Sequence, residues 1–177
     1  MELSQSGSEE SREAERRAYH EAGHAVVYYL YGIQVFRVSI EAHPYNDELE
    51  AAGIVEHEGM QGFDVDRFDE DWEVRNRVEG LIAGCYGGPV AADLKGMGGT
   101  DNTADSFHAM RRALDARKDD PIAADALLRK CLDNVRQLLR APKHWAAVEA
   151  LAHRLLEVST LTGEEAGQVI RRALAKP

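Results

Sequence analysis

The chain has 177 residues, 44% hydrophobic and 29% charged, the profile of one soluble globular domain large enough for a real core. Its formal net charge of −10 argues against nucleic acid as a principal partner, since a basic patch supplies most of that affinity, and it disfavours an anionic membrane. Two cysteines, Cys85 and Cys131, are too few for a disulfide framework; with no leader-like segment they suit a reducing cytoplasm.

Residues 1–9 are polar and read as a disordered tail. Ser6 with Glu9 has capping-box spacing, and Ser8 is an alternative cap for a helix that runs to about Tyr31, where Gly32 stops it. Its apolar run, Ala25 to Leu30, is far too short to span a membrane. The β-branched stretch Ile33 to Ile40 predicts a strand, and His43-Pro44-Tyr45-Asn46-Asp47 is turn chemistry. Ala52 to His57 predicts a second, shorter strand that pairs with the first as a hairpin, and the acidic stretch from Gly59 to Asp71 reads as a solvated loop.

A helix is predicted from about Glu70 to Leu94, broken near Gly84 to Pro89, and Gly96 to Thr100 reads as a flexible connection. Beyond it the chain reads as helical: from an Asp101 or Thr103 cap to Arg117, from Pro121 to about Arg140, and from Pro142 to about Val158. A last helix follows Thr162-Gly163-Glu164-Glu165. The expected fold is mainly α with one small β-hairpin after the first helix, a single domain over residues 10–177. Its first helix and hairpin occupy 10–60 and the helical remainder 70–177.

His20-Glu21-Ala22-Gly23-His24, inside the first helix, is an H-E-x-x-H motif. Residues i and i+4 share one helix face, so His20 and His24 can grip one zinc ion at about 2.0–2.1 Å. Glu21 is placed to act as general base on an attacking water. The apolar flanks, Ala18-Tyr19 and Ala25 to Leu30, argue against a chance pair of histidines, because buried imidazoles and a carboxylate are costly unless something satisfies them.

Catalytic zinc takes three protein ligands, so one more is required. Leu30 stands where the longer metzincin motif has its third histidine, which removes that class. Glu41, Glu48 and Glu50 fall in a strand and a loop rather than on a second helix, which leaves Asp101 and Asp105 from a distant helix.

Ala18-Tyr19-His20-Glu21-Ala22-Gly23-His24-Ala25-Val26 resembles the zinc motif of the FtsH-type peptidase domain. The likeness extends over about residues 14–172. It includes Val35 to Ile40 with Gly53-Ile54-Val55, Leu81-Ile82-Ala83-Gly84 with Gly88-Pro89-Val90-Ala91-Ala92-Asp93-Leu94, and Leu161-Thr162-Gly163-Glu164-Glu165. In that family the third ligand is an aspartate followed four residues later by alanine. This implies Asp105, with Ala109, as the ligand, and Asp101 as the fallback because it lacks the alanine. The chain departs from the family in carrying Asp101-Asn102-Thr103-Ala104 before Asp105, and no ATPase or membrane anchor is present in it.

The resemblance implies a zinc-dependent endopeptidase acting on flexible or unfolded polypeptides, with Zn²⁺ on His20, His24 and Asp105 and Glu21 as the catalytic base. It leaves room for a homo-oligomer, although without the ATPase in the chain a monomer or dimer fits as well, and for a separate ATPase partner. The alternative is a catalytically weak or inactive module with a binding or regulatory role. His108, three residues after Asp105, could face the same cleft, although a surface or core role fits it better. His57 and His43 read as structural, as do His144 and His153, both expected to be partly buried. Trp145 to Ala152 with Leu155 and Leu156 reads as a core stripe. The exposed edge of the hairpin could hold an extended peptide by backbone hydrogen bonds.

Overall fold

A computed structural model describes residues 3–44, 50, 51, 53–98 and 103–176, with backbone only at 3–8, 43, 44, 50, 51 and 103. The first helix, α1 (Leu3–Leu30), carries the H-E-x-x-H motif in its C-terminal half. That half has an almost unbroken buried run from Ala18 to Tyr28, in which Ala18, Tyr19, Ala22, Ala25, Val26 and Val27 are fully enclosed. The helix begins at Leu3, not after residue 9: no proline interrupts residues 3–9, and extending a helix already nucleated costs little. Gly32, at φ +73°, ends it as expected.

The strands β1 (Val35–Ser39), β2 (His43–Pro44), β3 (Glu50–Ala51) and β4 (Ile54–His57) follow. β1 and β4 pair antiparallel with Val38 opposite Val55, and β2 and β3 form a separate two-stranded ladder between them. The expected hairpin gains a third strand. β5 (Thr160–Thr162) pairs antiparallel with the other edge of β1, placing Leu161 beside Val38, so the sheet order is β4-β1-β5. Leu161 and Val38 are both buried.

The segment 59–71 is less solvated than its composition suggests: a 3₁₀ turn, Val65–Arg67, leads to Phe68, which is buried against the second core. Next, α2 (Trp72–Leu94) is capped by Asp71, whose side chain accepts from the N–H groups of Glu73 and Val74. It is continuous through Pro89, where a break was expected. Pro89 removes one helical donor, but packing along its glycine-rich face holds the helix together. The remaining helices are α3 (Thr103–Ala116), α4 (Pro121–Arg140), α5 (Pro142–Val158) and α6 (Gly163–Leu174). Asp120 caps α4, and Thr162 with Glu165 forms a full capping box on α6.

The fold is mainly α, with six α-helices and a small three-stranded antiparallel sheet among the described residues. One core joins α1 to β1, α5 and α6 through residues such as Val26, Val38, Val148, Leu151, Leu155 and Ile170. A second joins α2 to α3 and α4 through Val78, Ile82, Ala109, Ala113, Leu127 and Cys131. Most of the Trp145 stripe is core: Ala147, Val148, Leu151, Ala152 and Leu155 are fully buried, and Trp145 stacks on Tyr19 at 5.9 Å, whereas Ala146 and Leu156, expected in the core, are exposed because they turn to the outer face of α5. No helix among the described residues is long and apolar enough to cross a membrane.

Candidate metal centre

The α1–α2 crossing is built on missing side chains. A Cβ on Gly23 would lie 2.3 Å from the carbonyl oxygen of Gly87, and one on Gly87 would lie 2.5 Å from that of Gly23. One turn away, a Cβ on Gly84 would enter the Tyr28 ring at 1.8 Å. At Gly88 the obstruction would be the motif itself: its Cβ would fall 2.4 Å from His24 Nε2 and 2.7 Å from His20 Nε2. Glycine at these positions lets the two backbones close and leaves room for both imidazoles. Sequence reading took the glycines for a helix break; their i, i+4 spacing (Gly80, Gly84, Gly88) was the available signal for a close helix contact.

His20 and His24 project from α1 toward α3, where Asp105 meets them. The Nε2 atoms of the two histidines are 3.0 Å apart, and each lies 3.3 Å from Asp105 Oδ2. Ligands held at about 2.0–2.1 Å in a tetrahedron are separated by about 3.3–3.4 Å, so this triangle has the size of one face of a zinc site. Among the described residues, these three form the cluster of His, Cys, Asp and Glu donors that could hold a metal ion. Asp101, the alternative ligand, lies outside the described residues.

The donors are oriented from behind. His24 Nδ1 lies 2.7 Å from the carbonyl of Gly84, closer than the 3.3 Å to the Gly88 N–H, so Nδ1–H donates to Gly84 and Nε2 faces the triangle, where it can ligate a cation by giving up its proton. Burial disfavours charge on His24, but the Asp105 carboxylate beside it prevails and raises its pKa to about 9. At His20, burial and then the neighbouring His24 lower the pKa. Burial would raise the pKa of Asp105, yet the facing imidazoles hold it well below the usual carboxylate range. Two imidazole nitrogens and a carboxylate crowded at this distance are a donor set that suits a divalent cation.

Glu21 is 6% exposed, in contact with Gly53 at the start of β4. Burial pushes its carboxyl up to about 7, partly offset by His24. A Cβ on Gly53 would come within 2.5 Å of Glu21 Oε1, so the glycine leaves room for this carboxylate. Asp105 and His20 keep part of their surface exposed, while Glu21 and His24 are buried.

β4 follows the same face of α1 away from the centre. It starts against Glu21 and ends with His57 stacked on Tyr28, ring centroids 4.1 Å apart. Expected only as a structural residue, His57 stands at the far end of β4; its Nδ1 donates to the Glu58 carbonyl at 2.6 Å, and burial lowers its pKa. Because β5 covers the other edge of β1, the sheet edge beside the centre belongs to β4. His108 is exposed, with its ring against Phe107. His144 is half-buried and bonded to the Leu138 carbonyl, as expected, whereas His153 is exposed at the rim of Tyr19 because it lies on the outer face of α5. The side chain of His43 lies outside the described residues. Cys85 and Cys131 are both free and buried.

No protein-family model matches the chain, and no curated protein matches it.

Proposed function

We propose that this chain is a zinc-dependent endopeptidase of the FtsH type, in which His20, His24 and Asp105 hold the metal and Glu21 is the general base. The observation that carries the reading is the donor triangle, with edges of 3.0, 3.3 and 3.3 Å, beside a buried carboxylate that is not itself a ligand. Zinc held there would acidify a water molecule toward neutrality and polarise the substrate carbonyl.

The chain's own residues perform the rest. Gly84 fixes the His24 tautomer, and Gly88 keeps the space beside both imidazoles open. Glu21, with a carboxyl near 7, accepts the proton of the attacking water and returns it to the leaving amine nitrogen. The edge of β4 can align an extended segment by backbone hydrogen bonds, so the substrate is a flexible or unfolded polypeptide rather than a folded domain. A separate ATPase that unfolds substrates, self-assembly and a cytoplasmic setting are part of the same proposal.

The test is metal content by plasma mass spectrometry on the full chain and on Asp105→Ala, followed by cleavage of an unfolded polypeptide. About one zinc per chain, lost in the variant, with cleavage abolished by a chelator, is the expected result. Absence of zinc after reconstitution would overturn it and favour a binding module.

A further inference from the structure

Arginine in a half-buried position is costly unless its charge is met. Six arginines among the described residues are half-buried, and five meet a carboxylate: Arg16 and Arg17 with Glu13, Arg37 with Glu56, Arg77 with Glu58, and Arg117 with Asp69. The sixth, Arg112, meets none among the described residues. Its Nη1 lies 3.4 Å from the sulfur of Cys85, a thiol that burial pushes up to about 11 and that therefore stays neutral. In a chain of net charge −10, a half-buried arginine that meets no carboxylate among the described residues is an exception that needs a cause.

Its position supplies one. Arg112 follows Asp105 by seven residues on α3, two turns along nearly the same meridian and about 10 Å along the axis. The guanidinium rests on α2 at Cys85, the residue after Gly84, whose carbonyl holds His24. Around it stand the continuations of the elements that frame the metal centre: Tyr28 one turn after His24, Cys85 next to Gly84, and His57 at the end of β4. The Arg112 charge acts on all three.

We infer that Arg112 is a substrate-binding residue that receives a carboxylate of the polypeptide lying in the cleft. The carboxylate comes from an acidic side chain or from the chain's C-terminus, roughly one to three residues from the scissile bond at about 3.3 Å per extended residue. A guanidinium offers a two-pronged donor face that matches a carboxylate, and the neutral thiol beneath it orients that face without competing for its charge.

This inference rests on the cleft being the substrate site, so the experiment separates the two. Zinc-loaded Glu21→Gln protein, alone and with Arg112→Gln or Arg112→Lys added, is titrated at about 0.15 M salt, where long-range repulsion by the acidic chain is screened. The probes are three labelled peptides of one sequence: a neutral form with an amidated end, the same with one internal glutamate, and the neutral sequence with a free C-terminal carboxylate. Binding is read by fluorescence anisotropy, and cleavage of each peptide by the parent chain is followed separately.

At least one carboxylate peptide should bind about tenfold or more tightly than the neutral one. That preference should vanish in Arg112→Gln, survive in part in Arg112→Lys, and leave the neutral peptide's affinity unchanged. Which peptide gains identifies the source of the carboxylate. Equal binding of all three, no measurable binding, or a preference that persists in Arg112→Gln overturns the inference. Cleavage without preference would leave the hydrolase standing and remove the receptor; preference without cleavage would do the reverse.

Discussion

Gly88 and His24 meet across the α1–α2 crossing so closely that a Cβ on the glycine would stand 2.4 Å from the histidine's Nε2. This nitrogen therefore owes its place to an atom that is absent from the opposite helix. Gly88→Ala should weaken zinc binding by roughly ten- to a hundredfold, the range seen when groups supporting a metal ligand are disturbed. Helix content should not fall, since alanine is about 1 kcal/mol better than glycine inside a helix. Competition titration with a zinc chelator, read beside circular dichroism, checks both. Unchanged affinity in the variant would remove Gly88 from the site.

His20, Glu21 and His24 were legible in the sequence because their relationship is local: five residues of one helix fix their common face. Asp105 was not legible in that way. It comes from another helix, and spacing alone left it level with Asp101 until a family resemblance ranked the two. The glycines of α2 were read as a break because their meaning lies on the facing helix, in Tyr28, His20 and His24. Strand β5 was missed for a related reason: three residues with one apolar side chain carry little pattern, and their partner, Val38, is far away in the chain. Arg112 gave no sequence signal, since an arginine that meets no carboxylate among the described residues is visible only once the neighbours are known.

The far end of β4 is tied to α2 by Glu58, which accepts from Arg77 Nη1 at 2.6 Å and from the Gln34 N–H at 2.8 Å. The Arg77 guanidinium is the chief cause that lowers its carboxyl from 4.5 to about 2. A carboxyl whose folded pKa is depressed contributes its stability above the unfolded value and loses it as pH falls through the folded one. The stability gap between the parent and Glu58→Gln should be flat above about pH 5 and close between pH 4.5 and about 2. Solvent reaches Glu58, so the gap at neutral pH should be about 1 kcal/mol, or roughly 2–4 °C in Tm. Thermal unfolding across that pH range measures it. A gap that widens in acid would contradict the ion pair's sign.

Glu21 is where binding and chemistry come apart. It stands beside the donors without belonging to the triangle, so replacing its carboxylate with an amide of the same shape leaves His20, His24 and Asp105 in place. The amide still fits against Gly53 but cannot take a proton from water. Glu21→Gln should therefore bind zinc as the parent does, while peptide hydrolysis falls about 10²- to 10⁴-fold, the usual yield of a general base. Metal stoichiometry and initial cleavage rates on the same preparation test both halves. Loss of zinc together with activity would make Glu21 a structural member of the centre. Retention of both would move the proton transfer to another group.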